Sequence, residues 1–321
     1  MAKRNSCSGP FLFQCVKNNQ IGYKMNPDKL KLPSYGGQAL IEGVLMRGSK
    51  YLAVAMRDPS GSIQIKTEKL QGLYTSRFAK IPFLRGLVIL WDAIGLGTKY
   101  LTISANLQTG EDEKIEGPAL VGTLFFSFSL AIVLFFLAPA GVAALIQKWL
   151  IIDSFSTNII EGVFRLVLVI GYIWAVGKIP DIRRVFSYHG AEHKTINAFE
   201  AGAELTPENV KGFSLHHPRC GTGFILILVI FSVILFTLIG PLPNIAVRLV
   251  SRVVLLPLLV MFAYEFIRFT ARHLDNRFIR LLSKPGMAMQ RLTTFEPSLD
   301  IIEVSIASFN AMYRLENSED Q

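Results

Sequence analysis

The segment "YHGAEHK", residues 188–194, sets His189 and His193 four apart with Glu192 between them. On a helix, side chains four apart project from one face about 6 Å from each other, near enough for two imidazoles to reach one ion at about 2.0–2.1 Å. The order H-x-x-E-H reverses the H-E-x-x-H zinc motif, in which two histidines bind metal and the glutamate takes a proton from activated water. His216, His217 and Cys220 follow in "HHPRCGTG", so four of the five histidines and a thiol crowd one polar interval. A catalytic zinc takes three protein ligands and keeps one position open, and the third donor here would be His216, His217 or Cys220. The chemistry suited to this set is metal-assisted hydrolysis, with a divalent metal such as zinc and Glu192 as general base. The plainer alternative is a pair of buried histidines that hydrogen-bond polar groups between helices.

These side chains need a helix and a turn to hold them. After Pro180, residues Ile182, Val185, Phe186, His189, His193 and Ile196 recur at steps of three and four, so both histidines continue a buried stripe. Gly190 inside that helix costs about 1 kcal/mol relative to Ala and leaves room for a backbone or a substrate to come close. Glu200 shares the stripe but lies about 10 Å along the axis from His193, too far for the same ion. Pro218 suits a helix start, which would place Cys220 in a first turn where unpaired amides favour its thiolate. As a plainer reading, Cys220 is a small buried residue there.

The surroundings are membrane-like. Of 321 residues, 51% are hydrophobic and only 18% charged, and the mean hydropathy is +0.39; an ordinary soluble domain of this size is less apolar. Spans are expected over 119–146, 159–179, 221–240 and roughly 253–272, each near the 20 apolar residues that cross a bilayer core. "FLRGLVILWDAIGLG", 83–97, carries Arg85 and Asp92 and is short for a span, so it reads as an amphipathic helix at the inner face or packed on the bundle.

Lys and Arg collect in 1–80, in 180–220 and after 272, and 149–158 has none, which puts both termini and the histidine-rich interval in the cytosol. The stretch 241–252 strains this scheme, because Arg248 and Arg252 would then lie in an external turn. Glu161 and Arg165, four apart in the second span, can pair, and Glu265, Arg268 and Arg272 end the fourth. The net charge of +9 fits loops facing anionic lipid. No basic stripe interleaved with aromatics suggests nucleic acid. Three widely spaced cysteines, Cys7, Cys15 and Cys220, argue against a disulfide framework.

The fold class expected is therefore an all-α polytopic membrane protein of about four transmembrane helices with small cytosolic α+β elements. Its order is a cytosolic and interfacial region over 35–118, a transmembrane hairpin over 119–179, the His/Cys-rich helix and loop over 180–220, a second hairpin over 221–273 and a cytosolic tail over 274–321. "KYLAVAMRDPSGSIQIKTEKL" predicts a β-hairpin turning at "DPSGS". In "YGGQALIEGVLMRG", 35–48, four glycines surround Gln38, Glu42 and Arg47 without matching a phosphate-binding loop, and a turn feeding a strand is its plain reading. The tail 300–316 is expected as a strand then a helix, or as one helix.

"GGQALIEGVLMRG", "YHGAEHKTINAFE" and "HPRCGTGF", in that order, closely resemble the bacterial YqhQ family, whose members are of unknown function and sometimes described as predicted metal-dependent enzymes. The resemblance runs from about residue 35 to 315 and makes 1–34 an extension. It implies an integral inner-membrane protein and marks His189, Glu192, His193, His217 and Cys220 as signature positions, without supplying a reaction. Two functions stand against each other at this point. One is a membrane-embedded, cytosol-facing metalloenzyme. The other is a non-enzymatic subunit of a translocation, transport or membrane-assembly machine, partnered by other membrane proteins. Metal-ion transport ranks below both, since few ionisable groups line the spans.

Overall fold

The computed structural model describes residues 35–72, 76–109, 117–240, 242 and 244–318; the extension 1–34, with Cys7 and Cys15, lies outside them. Four strands, β1 (Gly36–Leu40), β2 (Gly43–Arg47), β3 (Tyr51–Arg57) and β4 (Ile63–Lys69), pair antiparallel in chain order. The expected hairpin is β3–β4, and "GGQALIEGVLMR" is a second one, β1–β2, turning at Ile41 and Glu42. Glu42 takes a positive φ of 52° there. Its carboxylate is fixed by a two-pronged ion pair with Arg184 and by the Tyr188 hydroxyl.

Period-two alternation gives the sheet two faces. Val44, Met46, Ala53 and Ala55 pack against α5 (Pro180–Glu200) and α11 (Leu299–Ser318). Leu45, Leu52, Val54 and Met56 pack against Tyr100, Leu96 and Ile103 of α1 (Leu84–Gln108). The alanines let α11 come close enough for Ser308 Oγ to donate to the Ala53 carbonyl at 3.0 Å. At the β2–β3 turn, Glu316 of α11 accepts from the Lys50 and Tyr51 amides at 2.6 and 2.8 Å. A Cβ on Gly48 would collide with that carboxylate, so the glycine is what lets the helix end cap the turn. The tail is one helix, not a strand and a helix.

The apolar part begins with α2 (Gly117–Ile132), a π-helical turn (Val133–Leu137) and α3 (Ala138–Leu150), which form one run of 34 residues, followed by α4 (Ser154–Val176). After α5 come the short α6 (Pro207–Lys211), α7 (Thr222–Ile239), α8 (Ile245–Val254), α9 (Leu256–Arg272) and α10 (Arg277–Met289). Among the described residues, four helices are long and apolar enough to cross a membrane: Leu84–Gln108, Gly117–Leu150, Ser154–Val176 and Thr222–Ile239. The pair α8–α9, bent by 44°, adds a fifth if it counts as one span.

Two expectations need correction. The stretch 83–97 is not too short, because "TKYLTISANLQ" extends its helix to 25 residues. Its charges are also paired, Arg85 with Glu265 and Asp92 with Arg47. The last expected span, 253–272, is interrupted near Leu255, and its companion stretch is helix α8 and not an open turn. Arg248 and Arg252 point inward from α8, 7% and 1% exposed. Arg252 Nε and Nη2 reach Glu161 at 2.8 and 2.7 Å, and Arg165 Nη2 reaches the same carboxylate at 2.6 Å. The Phe135 carbonyl, in the π-helical turn, accepts from Arg165 Nε at 2.9 Å. The arginines that strained the loop-charge scheme thus belong to the interior of the bundle.

Candidate metal centre

Helix α5 starts at Pro180, whose missing N–H is no loss in a first turn. From Tyr188 to Ala198 it is enclosed on nearly all sides, polar residues included. Buried polar groups need partners, and here they supply the hold on the following loop. His193 Nδ1 meets the Leu215 carbonyl at 2.5 Å. Lys194 Nζ donates to the carbonyls of Lys211 and Phe213 and pairs with Glu296. Asn197 Nδ2 donates to those of Ser214 and His216. The loop 211–217 is thereby laid along the helix with its carbonyls turned inward, which sets where "HHPRC" lies.

A second segment crosses α5 at Gly190. A Cβ there would stand 2.2 Å from the Phe295 carbonyl oxygen, so the glycine admits a backbone. The crossing brings the Thr293 carbonyl to His189 Nδ1 at 2.9 Å. A carbonyl only accepts, so in both histidines the proton sits on Nδ1 and the lone pair on Nε2 faces the other way. Partners of this kind fix the tautomer and orientation of metal-binding histidines.

The two rings lie 4.5 Å apart between centroids. His189 Nε2 is 3.3 Å from Cys220 Sγ, and one donor atom from each of His189, His193 and Cys220 lies within 4.8 Å of the others. A tetrahedral ion with ordinary Zn–N and Zn–S bonds separates its nitrogen and sulfur by about 3.5 Å, so the spacing fits one shared cation. Among the described residues this is the one cluster of three or more such groups. Cys220 precedes the first turn of α7, with Gly221 as cap, because its amide closes a turn onto the His217 carbonyl at 3.2 Å. Pro218 therefore lies in that turn and not at the helix start.

Of the remaining candidates, His217 is buried beside the cluster, its ring 5.7 Å from that of His193. The Gln290 side chain clamps its backbone from both sides, accepting from its N–H at 2.9 Å and donating to its carbonyl at 2.8 Å. The imidazole of His216 is not part of the three-donor group; burial, then Arg291 and His193, hold its pKa down. Glu200 pairs with Arg219, whose Nη2 is 3.4 Å from His217 Nε2.

Glu192, His189, His193, His217, Arg219 and Cys220 line one cavity of about 100 Å³, closed on the far side by Tyr35, Gly36 and Gly37. The Gly37 amide donates to the Glu192 carboxylate, whose pKa burial pushes above the usual carboxylate range and the nearby His189 pulls back. A Cβ on Gly37 would sit 2.5 Å from the Leu45 carbonyl and 3.0 Å from the Glu192 carboxyl carbon. The three separate sequence motifs thus meet at one site, the glycine pair serving as its wall. Sequence reasoning passed over Arg219, Gln290 and the carbonyls of Thr293 and Leu215; the two backbone groups leave no residue-type signal at all.

The profile of the DUF1385 family, described as a protein of unknown function, matches residues 81–315. The chain belongs to this family. Its sequence is 36% identical over 306 residues to the uncharacterized protein YqhQ of Bacillus subtilis (strain 168), covering 90% of this chain and 95% of that protein. No solved structure matches.

Proposed function

We propose that this family member is an inner-membrane, cytosol-facing metal-dependent hydrolase. The observation that carries the reading is the set of three converging donors, with both imidazoles tied at Nδ1 to backbone carbonyls. When bound, a divalent metal such as zinc supplies Lewis-acid polarisation and a nucleophile at neutral pH. His189, His193 and Cys220 would hold it. Glu192, buried in the same cavity and oriented by the Gly37 amide, takes the proton. Protein purified without chelators is expected to carry about one metal per chain by elemental analysis. A Glu192→Gln variant keeps that metal and fails to correct the defect of a deletion strain. Metal-free wild-type protein would refute the reading.

The hydrogen bonds from α5 to the loop favour a second reading, a non-enzymatic membrane factor whose cluster only ties elements together. Full complementation by Glu192→Gln favours it over hydrolysis.

We infer from parity the topology that goes with this proposal. The sheet, α5 and α11 share one core and so lie on one side. An even number of crossings must then separate β4 from α5, and only two of α1, α2–α3 and α4 can cross. Helix α1 is the one left out, because its C-terminal half is packed on the sheet. The same rule makes α7 and bent α8–α9 the second pair, four crossings in all, with the Lys- and Arg-rich side in the cytosol. A membrane-impermeant maleimide should label Ile151→Cys in intact cells and Glu208→Cys only after permeabilisation, since both positions are exposed, in the α3–α4 turn and on α6. The opposite pattern would invert the site.

A further inference from the structure

Cys220 lines two spaces at once. One is the polar cavity; the other is a narrow apolar cleft of about 30 Å³ between α7, α9 and α10, walled by Ile227, Phe266, Ile267, Leu282 and Met287. Gln290, the clamp on His217, also borders the cleft. Gly223 of α7 and Gly286 of α10 face each other there, and a Cβ on either would meet the other's Cα at 3.5 Å. Their lack of side chains brings the two helices together where the cleft meets the site.

Helix α10 is amphipathic. Phe278, Leu281 and Leu282 are exposed on one side, and Arg277, Arg280 and Lys284 are exposed at spacings of three and four on the other. An apolar face beside a basic one is the pattern of a helix lying in a membrane interface. Leu282 belongs both to that exposed face and to the cleft wall, so the cleft opens where α10 would meet lipid. At the other end, Arg219 stands a third exposed over the polar cavity, offering an anion a planar pair of donors in exchange for Glu200.

We propose that cleft and cavity form one site for a membrane lipid, its acyl chain between α7, α9 and α10 and its anionic head at Arg219 beside the His189–His193–Cys220 cluster. The lipid's fate as hydrolase substrate rests on the metal-centre reading; its binding does not. The cleft is a shallow groove whose apolar walls Phe266, Ile267, Leu282 and Met287 are partly exposed, so a chain can lie along it, while the polar cavity that shares Cys220 with it can take a head group; a soluble ligand would leave the groove unused. The basic face of α10 adds attraction for an anionic lipid over a zwitterionic one.

The test uses the full chain in nanodiscs containing phosphatidylglycerol or phosphatidylcholine with a photoreactive diazirine in the acyl chain. Phosphatidylglycerol should crosslink to Phe266, Ile267, Leu282 and Met287 in excess over lipid-facing positions such as Phe125 and Val167, and phosphatidylcholine should not. Arg219→Gln should lower the phosphatidylglycerol excess about tenfold, the factor for losing one charge-assisted hydrogen bond. Leu282→Trp, remote from the polar cavity, should lower labelling of Met287 while metal content is unchanged. Labelling spread evenly over the apolar surface, or equal for the two lipids, would overturn the proposal. Metal content measured on the same samples separates the two ideas. Metal without cleft labelling overturns the lipid site alone, and cleft labelling without metal overturns the metal centre alone.

Discussion

A His189→Ala/His193→Ala variant is expected to purify with less than about a tenth of the metal carried by the wild-type protein. The reasoning starts from the donor count. Two of the three converging groups are removed, and Cys220 alone cannot hold a divalent ion against chelation at neutral pH. Loss of a single outer partner of a ligand already costs about 10–100-fold in metal affinity, and loss of a ligand costs more. The same change exposes no new charge, because both imidazoles are neutral when Nδ1 donates and Nε2 ligates. It does orphan the Leu215 and Thr293 carbonyls, each at about 1–3 kcal/mol if no water replaces the ring. Some loss of melting temperature should therefore accompany the loss of metal. His216→Ala is the control, since its ring stands outside the three-donor group. It should keep the metal. Equal metal in the double variant and the wild type would show that the ion sits elsewhere.

How far the site could be read from the chain depends on how local each relationship is. The pair His189 and His193 was legible because four residues is one helical turn, and Pro180 marks where that turn count begins. The third converging donor stays open among three residues because a turn of five residues, "HHPRC", can aim any of them inward. The choice fell to contacts with α5, where Asn197 and Lys194 hold carbonyls of the loop. Gly37 gave no sign of its role, since its partner Glu192 is 155 positions away and the link is a backbone amide. The β3–β4 hairpin was plain from alternation and "DPSGS", whereas β1–β2 turns on Glu42 at positive φ, a residue with little claim to that conformation. Loop-charge counting assigns the three basic regions to one side. It falters at two buried arginines, Arg248, which donates to Gln147 of α3, and Arg252, which is paired with Glu161 of α4, since charge counting cannot know that a cation is partnered inside the bundle.

That partner carries the second large effect. Glu161→Ala should destabilise the detergent-solubilised protein by about 3–5 kcal/mol, the cost of breaking a buried ion pair from one side. The carboxylate is 1% exposed and is the shared counter-charge of Arg165 and Arg252, themselves 2% and 1% exposed. Hydrogen bonds to Asn158, Ser232 and the Phe135 carbonyl would remain, and Arg252 would still lie 3.8 Å over the Phe236 ring. None of these cancels a full charge. Glu161→Gln should fall between, since an amide oxygen accepts one of the three guanidinium bonds and carries no charge. The reverse comparison isolates the cause. Replacing Glu161, Arg165 and Arg252 together by apolar residues of similar volume should cost less than Glu161→Ala alone, because the desolvation of all three charges is relieved at once. Thermal unfolding of the three variants in one detergent ranks them. If Glu161→Ala melts with the wild type, the network contributes no net stability, and α8 is held to the bundle by its apolar contacts alone.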